Sequence, residues 1–503
     1  MIGSVQVIPA ATLRAAATVV CHGGLYRLTA MFANDERMIN GSFAIYVLFF
    51  SKEDAAFKTI KAIIKQDDLL EFPSLTPLMA AAAWYEREIH DLFGLTPVGH
   101  PDLRPLVLHE NWSQGRYPLR KDFEPDSVES GENIDYPVPP VQGKGVFEVP
   151  VGPIHAGIIE PGHFRFSQAG ENIINLEAKL FFAHRGIEKA VEGLSFSKAL
   201  FQTERICGAC SVANTLSYVQ AVESLTNTEV PLRAEYLRVL AAELERLYNH
   251  VGDIGNLCAG LGFAAGISNG SRLKEQLMRL NERLTGNRFL RGWITLGGVT
   301  MDITQELVQD IARLLAGITD ELNDLLGLLR DNDAFLDRVN TTGILPQQAA
   351  LDLGVVGVAA RASGVDFDIR RDFPYAAYRS LSFHVPVYTN GDVAARLWVR
   401  ADEAAESIKI IDQLLEELPN GKLTGELGSV EPYQAAFSMT ESPRGSNLHW
   451  LMAGENNTIY RYFVRSASYP NWPALTVAVP GNIIPDFPLI NKSFELCYAC
   501  LDR

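Results

Sequence analysis

"ELCYACLDR", residues 495–503, carries a C-x-x-C pair, Cys497 and Cys500, at the end of the sequence; "TERICGACSVAN", residues 203–214, carries a second, Cys207 and Cys210. Chain ends are ordinarily frayed, whereas reactive cysteines are held inside a domain. All of residues 211–496 lies between the pairs. A zinc ribbon spaces its pairs roughly 15–20 residues apart, because one small loop supplies every ligand, and this spacing does not fit. Neither pair follows a βαβ pattern, which argues against a thioredoxin-like site. Two unrelated buried pairs are one alternative. The other is a single four-thiolate site, assembled at the core of one large domain from its two ends. Four soft thiolates suit nickel, iron or zinc; zinc would be structural, while nickel and iron would do chemistry. Cys21 and Cys258 are left over and are expected to pack as small apolar residues.

The sequence between the pairs is strongly helical. Leu237, Leu240, Leu244, Leu247, Val251 and Ile254 recur at steps of three and four, as do Ile303, Leu307, Ile311, Leu314, Ile318, Leu322, Leu325 and Leu329. Each set predicts a long helix with one apolar stripe. Asp302 followed by Gln305 predicts a capping box for the second, and further helices are expected over 268–286 and 393–418. Ahead of them "HFRFSQAGENIINLEAKLFF", residues 163–182, reads as a hairpin around a glycine turn. Residues 1–123 alternate short apolar runs such as "GSFAIYVLFF" and "FKTIKAIIK" with turn residues, predicting a small α+β domain. Residues 124–145 are acidic and rich in Pro and Gly, and read as a linker. The expected fold is α+β: a small α+β N-terminal domain joined to a mainly helical bundle, residues 146–503, with short β elements at its ends.

A net charge of -16 and a pI near 5.2 exclude a nucleic-acid surface, which needs clustered Lys and Arg. No apolar run approaches the ~20 residues that span a bilayer, and the first twenty residues lack the basic segment of a secretory signal. The chain is therefore expected in the cytoplasm, meeting a membrane only through partners.

"RICGAC" and "CYAC" resemble the two cysteine motifs of the large subunit of [NiFe] hydrogenases. "GPIHAGIIEPGHFRF" (152–166), "FFAHRGIEK" (181–189), "ESPRGSNLHW" (441–450) and "SYPNWPAL" (468–475) are similar to the formate hydrogenlyase and energy-converting membrane-bound branch of that family. "WYEREIHDLFGLTPVGHPDLRPLVLHENWSQGRYPLRKDF" (84–123) resembles the 30-kDa-type peripheral-arm subunit of respiratory complex I, which formate hydrogenlyases carry fused to the hydrogenase-like part.

The resemblance implies a Ni-Fe centre, with CO and CN ligands on the iron, held by Cys207, Cys210, Cys497 and Cys500. Cys207 and Cys497 would be terminal nickel ligands, and Cys210 and Cys500 would bridge the metals. It further implies that Glu160 relays protons from Cys497 and that Arg444 stands over the open metal position. Glu188 corresponds to a ligand of a magnesium or iron ion near the C-terminus; relatives complete that site with a final histidine, where this chain has Arg503. Three departures bear on the centre: Glu495 and Leu496 stand where relatives have Asp-Pro, and Asn214 stands where they have histidine. Relatives are made with an extension that is removed three residues past the last cysteine, so a chain ending at Arg503 is expected to be either the matured form or one encoded without it.

No cysteines remain for an iron–sulfur cluster, so a small hydrogenase subunit carrying [4Fe-4S] is implied. Ferredoxin-like electron-transfer subunits, membrane-arm subunits resembling complex I and a formate dehydrogenase are further expected partners. "HPDLRP" (100–105) and "PLRKDF" (118–123) are expected to contact neighbouring subunits. The location implied is the cytoplasmic side of the inner membrane. The alternatives are a complex I-like quinone oxidoreductase subunit, which has no use for four thiolates, and a hydrogenase-like scaffold without turnover.

Overall fold

The computed structural model describes residues 4–125, 136–155 and 159–503. The N-terminal part is a four-stranded sheet of β1 (Ser4–Pro9), β2 (Arg27–Glu36), β3 (Ser42–Ser51) and β4 (Ala56–Lys65) in the order β1-β4-β3-β2. Helices α1 (Leu13–Cys21) and α2 (Ala83–Phe93) lie against it. Every residue of β3, "SFAIYVLFFS", is buried. A strand apolar on both faces must be covered on both, and the second cover comes from the other half of the chain. Phe32 stacks on Phe463 at 4.3 Å and Tyr46 meets Trp450 at 5.0 Å.

The two halves thus share one apolar core. The segments expected to contact other subunits do their visible work inside this chain. Arg104 of "HPDLRP" pairs with Glu177 at 2.7 Å, and Lys121 of "PLRKDF" pairs with Glu192 at 2.8 Å. A polar side chain beside an opposite charge already within reach has its partner supplied by the fold itself. Residues 126–135 of the expected linker lie outside the described residues; Tyr136 beyond them packs under Lys179, whose Nζ is 4.8 Å from the ring centroid.

The second part opens with an antiparallel sheet of β5 (Val146–Val151), β6 (His163–Ala169) and β7 (Asn172–Lys179), the last two forming the expected hairpin. Its long helices are α3 (Ser211–Thr226), α4 (Leu232–Ala259), α5 (Ala264–Thr285), α6 (Gln305–Arg330) and α7 (Val393–Glu416). A three-stranded antiparallel sheet follows, of β8 (Ala435–Ser442), β9 (Gly445–Ala453) and β10 (Ile459–Arg465). Helices α8 (Ser468–Ala478), α9 (Phe487–Phe494) and α10 (Tyr498–Asp502) end the chain.

Both apolar stripes lie on helices as predicted, except that Ile303 precedes α6. The capping box is not formed. Thr304 is the N-cap, its hydroxyl accepting from Leu307 N at 3.2 Å, and Asp302 instead holds Arg233 at 2.6 Å. A hydroxyl one residue before the helix satisfies its free N–H groups directly, which leaves the carboxylate available for an arginine.

Helix α4 sits at the centre, packed by α5, α7 and α9. Its approach to α5 depends on a glycine pair. A Cβ on Gly270 would lie 2.5 Å from Gly255 Cα, and one on Gly255 would lie 2.9 Å from Gly270 Cα. Alanine in a helix gains ~1 kcal/mol over glycine in propensity, but overpacking against backbone costs about 1–3 kcal/mol and has no side chain to yield. Gly270→Ala is therefore expected to lower the unfolding temperature. Gly317→Ala on α6, where nothing lies within 4 Å, is expected to raise it; thermal unfolding of both variants checks the contrast.

Candidate metal centre

Cys207 and Cys210 lie in the loop that leads into α3, and Cys497 is the N-cap of α10. Cys207 Sγ lies 3.2 Å from Cys497 Sγ, and the sulfurs of Cys207, Cys210 and Cys500 all fall within 4.8 Å of one another. The four cysteines are free thiols. A disulfide would hold its sulfurs at ~2.05 Å, so the 3.2 Å contact is non-bonded. The donor set is that of a soft-metal site: sulfur only, four-fold and buried, apart from the half-buried Cys497. Hydrogen bonds from Cys210, Cys497 and Cys500 hold the Cys207 thiol well below the usual range, while the other three, led by the hydrogen bond with Cys207, are pushed well above it. One thiolate thus relies on neighbouring S–H protons where a cation would stabilise all four, so the residues fit a thiolate-held metal.

Local hydrogen bonds fix the two loops. Cys207 Sγ accepts from Ala209 N and Cys497 Sγ from Cys500 N, each at 3.2 Å, while Cys497 N donates to Ser468 Oγ at 3.0 Å. The tail is fastened by protein alone. Asp502 accepts from Phe181 N at 3.1 Å and Ala183 N at 2.8 Å, and Arg185 N donates to Arg503 O at 2.7 Å. Burial pushes the Asp502 carboxyl up to about 7.

Arg444 reaches the thiols from the turn between β8 and β9. Its Nε donates to Glu495 O at 2.5 Å and its Nη1 to Asn249 Oδ1 at 3.1 Å, with Nη1 3.9 Å from Cys210 Sγ. Asp253 lies 3.6 Å and the Glu495 carboxylate 3.9 Å from Nη2. The turn is possible because Gly445 (φ 132°) and Gly357 (φ 67°) touch: a Cβ on Gly357 would strike Arg444 O. Glu160 is exposed, and its Oε2 accepts from Ala499 N at 2.9 Å, between the two cysteines of the last pair. Asn214 accepts from Asn447 Nδ2 at 3.0 Å and lies 3.2 Å from His449 Nε2, whose Nδ1 faces the Tyr462 hydroxyl at 2.6 Å. Burial pushes the His449 imidazole down to about 3, so it is neutral.

At Glu188, where the resemblance implies a metal ligand, the structure places arginines. Arg503 Nη1 lies 2.8 Å from one Glu188 oxygen and Arg461 Nη1 2.8 Å from the other, while Arg503 Nη2 reaches Glu88 of α2 at 2.7 Å. Two guanidinium groups balance two carboxylates in this buried cluster, so a magnesium or iron ion would have to displace an arginine that cannot give up its proton.

Several contributing residues were not singled out from the sequence. Glu245, Asn249 and Asp253 stand at i, i+4 and i+8 on α4. Glu245 accepts from Val212 N and Ala213 N at the start of α3 at 2.6 and 2.9 Å, and burial pushes its carboxyl up to about 8. Their polar side chains at helical spacing along one face were the available signal.

These positions define a thiolate metal centre between the helical core and the C-terminal tail, a hydrogenase-class large-subunit site. Residues 185–259 match the family described as nickel-dependent hydrogenase, residues 260–430 and 426–503 the respiratory-chain NADH dehydrogenase 49 Kd subunit, and residues 5–129 the 30 Kd subunit. The chain is 36% identical over 483 residues to formate hydrogenlyase subunit 5 of Escherichia coli (strain K12), covering 95% of this chain and 84% of that protein. Hydrogenase-4 component G of the same organism is 36% identical over 481 residues, with the same two coverages. A solved chain of the membrane-bound sulfane sulfur reductase, an archaeal respiratory membrane complex, aligns with a TM-score of 0.68 at 28% identity, covering 72% of this chain and 99% of that one. The chain belongs to the family of hydrogenase large subunits of the formate hydrogenlyase and hydrogenase-4 type, with a 30-kDa-like domain fused ahead of the 49-kDa-like hydrogenase domain.

Breaking a buried ion pair by removing one partner costs about 3–5 kcal/mol. Arg503→Met is expected to cost that much, measured by chemical denaturation, and Glu88→Gln in the same background should recover part of it.

Proposed function

We propose that this chain is the catalytic subunit of a membrane-associated [NiFe] hydrogenase that forms or splits H2 and exchanges electrons with a partner iron–sulfur subunit. The observation that carries the reading is the convergence of four free thiols from opposite ends of the domain beneath the Arg444 guanidinium. Cys207, Cys210, Cys497 and Cys500 would hold the nickel, with Cys210 and Cys500 shared with an iron carrying CO and CN. Bound there, the metal pair supplies the Lewis acidity for heterolytic cleavage of H2. The chain's own part is to move the proton and to position the reacting molecule. Held as a thiolate by the metal, half-buried Cys497 would be the first proton acceptor, and Glu160, exposed beside Ala499, would pass the proton to solvent. Arg444 keeps its charge and directs a guanidinium edge at the site, held there by Glu495 O and Asn249.

Electrons need a partner, because Cys258 is buried on α4 and Cys21 lies on α1, apart from the four thiols. A small subunit with a [4Fe-4S] cluster fills that role. Ferredoxin-like subunits, a membrane arm resembling complex I and a formate dehydrogenase complete the proposed assembly on the cytoplasmic side of the membrane. Among the described residues no helix is long and apolar enough to cross a membrane, which agrees with attachment through partners.

Nickel analysis of the complex matured in its native host is expected to give one nickel per chain; its absence sinks the reading in favour of a metal-free quinone site. Cys497→Ser is expected to abolish H2–D2O exchange. Glu160→Gln should keep its nickel while exchange falls about 10²–10⁴-fold, the span of a lost proton-transfer group; undiminished exchange would remove Glu160 from the path.

A further inference from the structure

A cavity of about 340 Å³ lies in the seam between the N-terminal sheet and the helical part, separate from the thiols. That volume is in the range of small-molecule sites, ~300–1,000 Å³. Its walls are largely apolar, with Leu28 and Ala81 from the N-terminal side and Leu351, Val355 and Phe367 from the other. Exposed Arg27 and the Lys52–Asp366 pair stand at the solvent side. At the inner end are Tyr85 and Arg465, both buried.

Arg465, the last residue of β10, is 2% exposed and has no carboxylate within ion-pair distance among the described residues. Other fully buried arginines show what is missing. Arg238, Arg246, Arg361, Arg370 and Arg461 each meet a carboxylate within 4.0 Å. Arg396 meets none, but donates from Nε to Ser493 Oγ and from its two Nη atoms to carbonyls at 2.6 and 2.8 Å. Arg465 is satisfied on one side only. Its Nη1 donates to Ser446 O at 2.6 Å, Nη2 has only the Ser446 hydroxyl at 3.4 Å, and Nε has no acceptor. Nε itself is closed off by its surroundings, so an anion in the cavity can meet the guanidinium only at its Nη atoms.

A guanidinium buried without a counter-ion is costly, and the cavity it lines is where a counter-ion can enter. Arg27, Lys52, Glu53 and Asp366 also line the cavity, but at its inner end the one cation is Arg465, which matches a single negative charge, since a dianion would leave one charge buried and unpaired. The walls match an apolar body behind that head. We infer that this seam cavity binds an amphiphilic monocarboxylate, its carboxylate on the Arg465 guanidinium and its aliphatic body between the sheet and the helices.

The test uses the chain in its native complex and a decanoate analogue carrying a photoactivatable diazirine in its tail. Crosslinks are expected in residues 347–367 and 79–85, suppressed by excess decanoate but not by decanol. Arg465→Met should reduce labelling at least tenfold and Arg465→Lys less. Ala81→Phe fills the opposite wall without touching the arginine and should also abolish it, which guards against a variant that merely misfolds. Equal competition by decanol, labelling unchanged in Ala81→Phe, or labelling confined to other surfaces would overturn the proposal.

Discussion

The clamp on Arg503 governs the whole arrangement. Two of the four thiols sit on the last seven residues of the chain, and a tail of that length has too little surface to order itself. It is ordered because its final side chain lies between Glu188 of the hydrogenase-like part and Glu88 of the N-terminal helix, with Asp502 tied to the backbone of residues 181 and 183. The N-terminal domain is thus a structural support of the metal site: without Glu88 the arginine loses one of its two carboxylates. Metal binding then acts on thiols that protein contacts have already brought together, so less of its free energy is spent on ordering the chain.

The same economy runs through the wall of the site. Glu243 and Arg246 of α4, Arg361 and Arg370, Glu403 of α7 and Glu441 of β8 form a fully buried ionic network. Such a network is weak evidence for stability, because desolvation offsets much of the attraction. Its consequence is positional: the helix that presents Asn249 and Asp253 to Arg444 can neither rotate nor slide without stranding several charges. Rigid support of this kind is what a site needs when its arginine must stay within about half an ångström of a productive place.

Much of this was legible in the sequence. Apolar periodicity located the helices, and the paired cysteines located the site, because both depend on local spacing. What spacing could not show was which charges meet. Arg503 stands where relatives have a metal-binding histidine, but that the carboxylates it meets are Glu88 and Glu188 is set only by the fold. The sequences of "HPDLRP" and "PLRKDF" likewise do not show that Arg104 meets Glu177 and Lys121 meets Glu192. Glu245, Asn249 and Asp253 form a separate polar stripe beside the apolar one, which by itself already explained the helix. Long-range charge pairing is the part of a fold that local pattern does not encode.

Glu495 and Leu496 were the departures that most threatened the site, and the structure changes what they mean. The group that holds Arg444 is the carbonyl of residue 495, which any amino acid supplies. What matters is that the carbonyl points inward, and this follows from the left-handed φ of 50° at the end of α9. A proline at 496 would bias the residue before it toward extended backbone, whereas Glu495 is left-handed, with the Leu496 side chain buried and the Glu495 carboxylate accepting from Asn256 at 2.6 Å. Lys492 in turn holds Asn256 at 2.7 Å. The longer carboxylate is therefore tied by one oxygen to α4 and lies 3.9 Å by the other from Arg444, whose Nε keeps the residue-495 carbonyl as its acceptor.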